Sequence, residues 1–322
     1  MVANRKRSGI IPKVTGEFEI TLRTPICISF DFDINKVADL HLEVDRNNVL
    51  VRPLEPRSHV ADEEGDLIEP PALERICIWI TKDIPGLVGT TPKQLPSEER
   101  KRFEPIIVEA TRRFVKAIAA KTGNWELDYR QPVYCYTSKY FLQDEKLPAE
   151  FLQESTRLIP EESAEGLIVW RTGECIGDLT EDIWKEVAAD IQEPVKLNHY
   201  DEAIFDAMRF RRQLRYDTAV LYAAFAAETI LKEISIVLLG RRSLTTEQID
   251  IFLDHAKTPS LVKLIETFPE VALPKFGKHK LEKLFEIRNA IAHKKKAAAT
   301  GSEASSAIRV ALELKELLYN LE

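Results

Sequence analysis

The chain has 322 residues, 44% of them apolar and 30% charged, with a net charge of -7. That composition excludes a disordered or fibrous chain, and the length suits two domains of ordinary size. The charge is uneven: residues 195–322 carry 20 Lys+Arg against 17 Asp+Glu, which leaves 25 against 35 for the first 194. A mildly basic tail on an acidic body permits a local nucleic-acid contact without requiring one.

The basic start, Met1 to Arg7, is not followed by an apolar core, so no signal peptide is expected and a cytoplasmic, reduced setting is the default. Residues 16–32 alternate. Phe18, Ile20 and Leu22 face one way and Glu17, Glu19 and Thr21 the other, with a break at Pro25, which predicts a half-buried strand or bent pair. Leu40, Leu42 and Val44, then a turn at Asp45 to Asn48, then Val49 and Val51, predict a hairpin. Residues 53–72 are rich in proline and acid and read as a long loop. The run Arg75 to Ile80 reads as a strand covered on both faces.

After a second loop, Ser97 is suited to cap a helix whose face is Phe103, Ile107, Ala110, Phe114 and Ile118. Pro105 is expected to bend it and Gly123 to stop it. Val133 to Tyr136 and Leu167 to Trp170 read as further strands, and Thr180 as the cap of a helix bearing Ile183, Trp184, Val187 and Ile191. Pro194 marks a boundary. Residues 1–194 thus form a mixed, mostly antiparallel α+β domain, suited to a sensor or specificity role.

From Asn198 onward only helical patterns remain. Ile204, Ala207 and Met208 mark a first helix. Residues 216–239 form a long apolar one, whose Glu228, Lys232 and Glu233 argue against a membrane span. Leu261 to Phe268 and Leu281 to Ile291 suggest two more. Residues 297–306 read as a loop before a last helix carrying Ile308, Leu312, Leu314 and Leu318. Residues 195–322 are therefore expected to be an all-α bundle with short connections.

The cysteines Cys27, Cys77, Cys135 and Cys175 are too far apart for a Cys-x-x-Cys metal clip, and Cys27 and Cys77 read as buried thiols. Asp31 and Asp33 lack a third ligand at useful spacing. His41, His59, His199, His255 and His279 are isolated, and there is no Gly-rich phosphate loop. Neither a metal nor a cofactor is expected.

The chemistry-bearing stretch is Glu286 to His293, followed by Lys294, Lys295 and Lys296. On a helix, Asn289 and His293 share a face and Arg288 lies on its flank. Histidine suits proton transfer near neutral pH and arginine suits phosphate oxygens, while the three lysines could hold flanking phosphates. Arg209, Arg211, Arg212 and Arg215 crowd a second segment, where a solvated face and an RNA contact are both open; Arg212 and Arg215 are the RNA-binding candidates. Arg288 and His293 also suit a helix C-terminus, where the dipole favours cations.

An alanine-rich helix with a mid-length acid, Ala223-Ala224-Phe225-Ala226-Ala227-Glu228, followed by a later helix bearing Arg288-Asn289-x3-His293, resembles the HEPN superfamily. The resemblance covers about residues 198–321. It implies a HEPN-like bundle and a homodimeric, metal-independent endoribonuclease of a bacterial toxin or antiviral defence system. Arg288 and His293 would be catalytic, Asn289 supporting, and Glu228 an organiser of the arginine. The partners implied are RNA and a second copy, with an antitoxin or regulatory protein as a further one and no membrane. One HEPN branch carries a modified tyrosine two residues after the histidine; Lys295 stands there in this chain. The alternative is a non-catalytic dimerisation protein whose N-terminal domain binds a ligand or partner.

Overall fold

The computed structural model describes residues 13–29, 31–56, 60–61, 67–69, 71–84, 95–124, 127, 129–130, 132–144, 147–158, 179–192, 196–268, 271, 277–294 and 298–321. These fall into two compact units, 1–195 and 196–322. The first is α+β and the second helical among its described residues. Among the described residues, no helix is long and apolar enough to cross a membrane.

The first unit is built on a six-stranded sheet. In chain order its strands are β1 (Lys13–Cys27), β2 (Leu40–Val44), β3 (Asn47–Pro53), β6 (Ala72–Asp83), β7 (Val133–Asp144) and β8 (Leu147–Leu158). They lie side by side as β2-β3-β6-β1-β7-β8, with every neighbouring pair antiparallel. Two short strands, β4 (Val60–Ala61) and β5 (Leu67–Glu69), pair with each other inside the stretch expected to be a loop. The expected strand Leu167 to Trp170 lies outside the described residues, as do His59 and Cys175. The register of β1 against β6 shifts between Thr21 and Ile26, where Pro25 interrupts the ladder.

One face of the sheet is covered by α2 (Glu104–Thr122), which buries Ile106, Ile107, Ala110, Phe114 and Ile118. The expected bend at Pro105 is a break instead: α1 (Ser97–Lys101) ends before α2 begins. Ser97 makes no capping bond and lies inside α1, whose N-cap position is Pro96. Gly123 terminates α2 at φ 66°, in the left-handed region that glycine adopts freely. Beneath α2, Phe18, Phe103 and Tyr140 form a mutually tilted triangle with centroids 5.5–5.7 Å apart. A Cβ at Gly16 would lie 2.4 Å from the Phe18 ring, so that packing requires glycine there. The helix α3 (Glu181–Asp190) is capped by Thr180, which accepts from the Ile183 amide at 3.2 Å. Its Trp184 packs against Phe114 and donates to the Ala38 carbonyl at 2.9 Å.

The strand β6 is buried on both sides, but unequally. Ile76, Ile78 and Ile80 belong to the core. On the other side Cys77 is buried and Trp79 half-buried, with the Arg52 guanidinium 5.2 Å over the indole and Glu17 accepting from the indole N–H. Long charged side chains therefore cover that face with their stems. Burial, then the nearby Glu17 and Glu19 carboxylates, pushes the Cys77 thiol up to about 12. Cys135 is also a free thiol and is half-buried. Cys27, expected as a free thiol, is disulfide-bonded. Alkylation at pH 8 followed by peptide mapping should leave Cys77 unmodified until the chain is denatured; rapid labelling in the native state would contradict this burial.

Among its described residues the second unit packs five helices around a sixth. The central one is α5 (Tyr216–Arg241), surrounded by α4 (His199–Arg212), α6 (Thr246–His255), α7 (Thr258–Glu266), α8 (Gly277–Ala292) and α9 (Gly301–Tyr319). Ala219, Ala223, Ala224, Ala226 and Ala227 are fully buried and let neighbouring helices approach α5 closely. Two findings correct the sequence reading. The helix α6 was not expected, and α9 begins six residues before the end of the expected loop. Each starts on a capping box, Thr245 with Gln248 and Thr300 with Glu303.

Lys315 Nζ lies 2.8 Å from Asp201 Oδ1, joining α9 to α4 across a largely buried contact. Burial raises the Asp201 carboxyl above its usual range and lowers the Lys315 ammonium, so neither charge is well solvated. Replacing Lys315 by Met alone should cost about 3 kcal/mol in a denaturant melt, because it strands a buried carboxylate. The double variant Asp201→Asn/Lys315→Met should recover most of that loss. A double variant no more stable than the single would show that the pair itself supports the fold.

Candidate functional site

Glu228 sits at the middle of α5 and Arg288 in the last turns of α8. Arg288 donates through Nη2 to Glu228 Oε2 at 2.9 Å, with the two side chains 34% and 31% exposed. A second guanidinium nitrogen donates to Asn289 Oδ1 at 3.1 Å. The other carboxylate oxygen of Glu228 accepts from the Thr258 hydroxyl at 3.3 Å. Thr258 opens α7, so three helices meet at one carboxylate. The guanidinium also lies 6.0 Å from the centre of the Phe285 ring, a turn earlier on α8. Guanidinium has five N–H donors, and these two bonds leave three for an anion.

His293 is exposed and closes α8, its amide donating to the Asn289 carbonyl at 3.0 Å. Lys294 follows at φ 54°, in the left-handed region that ordinarily ends a helix with glycine. The chain therefore turns away directly after His293. Arg288 and His293 are five residues apart, which on a regular helix is about 7.5 Å along the axis and roughly 140° around it. Asn289 falls between them in angle, about 40° from His293. In one copy the guanidinium thus leaves α8 toward α5, while the imidazole leaves it on another side.

Glu228, Arg288 and Asn289 are brought together, with His293 and Lys294 at the end of the same helix. Lys295 and Lys296 lie outside the described residues. Arg212 and Arg215 do not join this cluster. Arg215 stands thirteen residues before Glu228 at the start of α5, about 20 Å along the helix. Its guanidinium is stacked 4.7 Å over Phe210. Thr258 was not singled out from the sequence; a lone threonine before a proline gives no sign of a carboxylate facing it. Among the described residues, no group of three or more His, Cys, Asp or Glu is placed to hold a metal ion.

Beside Glu228, α5 presents an apolar face. Leu221, Phe225, Glu228, Lys232 and Ile236 lie within roughly 80° of one another around the helix. Leu221, Phe225 and Ile236 are exposed, Phe225 by 53%.

The chain matches no family model, no curated protein and no solved structure in the three comparisons made.

The Glu228–Arg288 bridge is one-third exposed, so its contribution to stability is small. A double-mutant cycle with Glu228→Gln and Arg288→Gln, read by denaturant melts, should give a coupling of about 0.5–1 kcal/mol. A coupling of several kcal/mol would make the pair a structural element of the bundle.

Proposed function

We propose that residues 196–322 form a HEPN-like bundle acting as a homodimeric, metal-independent endoribonuclease, with the N-terminal unit as its sensor or specificity module. The observation that carries this reading is the guanidinium of Arg288, held by Glu228 and Asn289 while keeping donors free, near a helix end that exposes His293. A positioned arginine and a solvent-facing imidazole are the groups that phosphodiester cleavage asks for.

In the reaction, one imidazole takes the proton of the 2′-hydroxyl as that oxygen attacks the adjacent phosphorus. A second imidazole, in its protonated form, gives a proton to the leaving 5′-oxygen. The products are a 2′,3′-cyclic phosphate and a free 5′-hydroxyl. Arg288 stabilises the negative charge on the pentacoordinate phosphorus, and Glu228 keeps the guanidinium aimed. Asn289 holds the guanidinium from its other side, and Lys294 to Lys296 hold flanking phosphates. Arg215, about 20 Å away along α5, and Arg212, at the end of α4, contact RNA only outside the reacting phosphate.

The divergence of Arg288 and His293 around α8 calls for two copies. A two-fold pairing would place two of each group along one cleft. The exposed apolar face of α5 beside Glu228 suits such a contact. A cytoplasmic toxin or antiviral nuclease, restrained by an antitoxin or regulatory protein, fits a cleavage activity that would be harmful if unregulated.

The same divergence supports a second reading, a non-catalytic dimerisation bundle in which Glu228–Arg288 is a structural pair. Purified protein incubated with RNA separates the two. The nuclease reading expects cyclic-phosphate ends, unaffected by EDTA, with activity falling at least ~10²-fold in Arg288→Ala and His293→Ala while fold is kept. Undiminished cleavage in both variants, or none by the wild type, would reject it.

A further inference from the structure

In the N-terminal unit, the β2–β3 turn, the end of β6, the start of β1 and the first turn of α2 line an open cavity of about 550 Å³. That size falls within the range of small-molecule sites. Its walls carry Lys13, Arg46, Lys82 and Arg102 against Asp45 and Asp83. This excess of cations occurs in a half of the chain that holds 25 basic against 35 acidic residues. The positive end of the α2 dipole adds to it, since Pro105 and Ile106 also line the cavity.

Two features set this group of cations apart. Lys13 and Asp83 stand opposite each other across the β1–β6 ladder, where an ion pair would ordinarily form. Yet among the described residues no ion pair joins Lys13, Arg46 or Lys82 to a carboxylate. Only Arg102 has one, 3.0 Å from Glu99. Lys82 Nζ lies 6.0 Å over the Phe103 ring. The second feature is the turn itself. Asp45 and Arg46 have φ of 49° and 62°, the conformation of a two-residue hairpin turn whose second position favours glycine. A long cationic side chain in that position is conformationally costly, and backbone cost of this kind gathers at functional sites.

We propose that this cavity binds a small phosphate ester, with Lys13, Arg46, Lys82 and Arg102 receiving the phosphate. Asp45 and Asp83 accept hydrogens from hydroxyl or amino groups of the same molecule. Among the described residues no aromatic ring lines the cavity, so recognition rests on the phosphate and its polar substituents rather than on stacking. Nucleotides and sugar phosphates share that chemistry. The site stands independently of the nuclease reading, because its binding needs no RNA turnover.

Isothermal titration of the full chain at low salt, with adenosine 5′-monophosphate, ribose 5-phosphate and adenosine, tests it. At least one of the two esters should bind, and adenosine should not. The better ester identifies the source. Arg46→Gly removes the guanidinium while giving the turn its preferred residue, so it should melt no lower than the wild type. It should nonetheless weaken ester binding at least ~10-fold, and Lys82→Ala should do the same. The proposal is overturned if neither ester binds, if adenosine binds as well as they do, or if both variants keep full affinity.

Discussion

A carboxylate on the helix at the centre of a bundle must find a partner. Glu228 lies on α5 among buried alanines and beside an exposed apolar stripe, and its partner is Arg288 of α8, with Thr258 of α7 at its second oxygen. The buried Leu281 and Leu284 set which side of α8 faces the bundle, and the contact aims Arg288 from that side. It then follows that Asn289 lies beside the guanidinium and His293 ends the helix away from it. The rest of the functional account depends on this one constraint. Without it, Arg288 would be one more cation near a helix terminus, satisfied by the dipole.

The pair is better suited to aiming a side chain than to holding the bundle together. The bundle has other means for that: α5 buries Val220, Ile230, Leu231, Ile234 and Leu238 alongside its alanines. An ion pair one-third exposed adds little to such a core. In the N-terminal unit the same division holds. Phe18, Phe103, Tyr140, Phe114 and Trp184 make the core under α2, while the charged positions gather at the sheet's outer face and at the end where the β2–β3 turn meets α2.

Elements with a clean hydrophobic period were legible in the sequence. The hairpin of β2 and β3, the strand β1 with its break at Pro25, and the helices α2, α3 and α5 all carry periodic apolar positions. Thr180 and Gly123 behave as the local rules for caps and stops require. The elements that escaped bury little or lack alternation. The helix α6 buries only Ile249, and the edge strand β8 mixes Glu150, Gln153, Glu154 and Arg157 into its run, as edge strands commonly do. The capping pairs Thr245/Gln248 and Thr300/Glu303 were readable as threonine followed three residues later by Gln or Glu. In the site, the spacing of Arg288, Asn289 and His293 was legible because it lies within one helix. The convergence of Arg288 and Thr258 on Glu228 was harder to see, because 60 and 30 residues separate them from it. The cavity at the β2–β3 turn drew on four separate segments and left no local pattern at all.

The central claim is that the reacting phosphate is held by groups from two copies. Subunit complementation tests it most directly. Arg288→Ala and His293→Ala, each inactive alone, are mixed under conditions that allow subunits to exchange, and RNA cleavage is followed. A cleft shared between copies regains one guanidinium beside one imidazole in the mixed dimer; that imidazole serves as base and water protonates the leaving oxygen, so a small but measurable fraction of wild-type activity should return. A mixture as inactive as either variant, despite demonstrated exchange, would contradict the shared cleft.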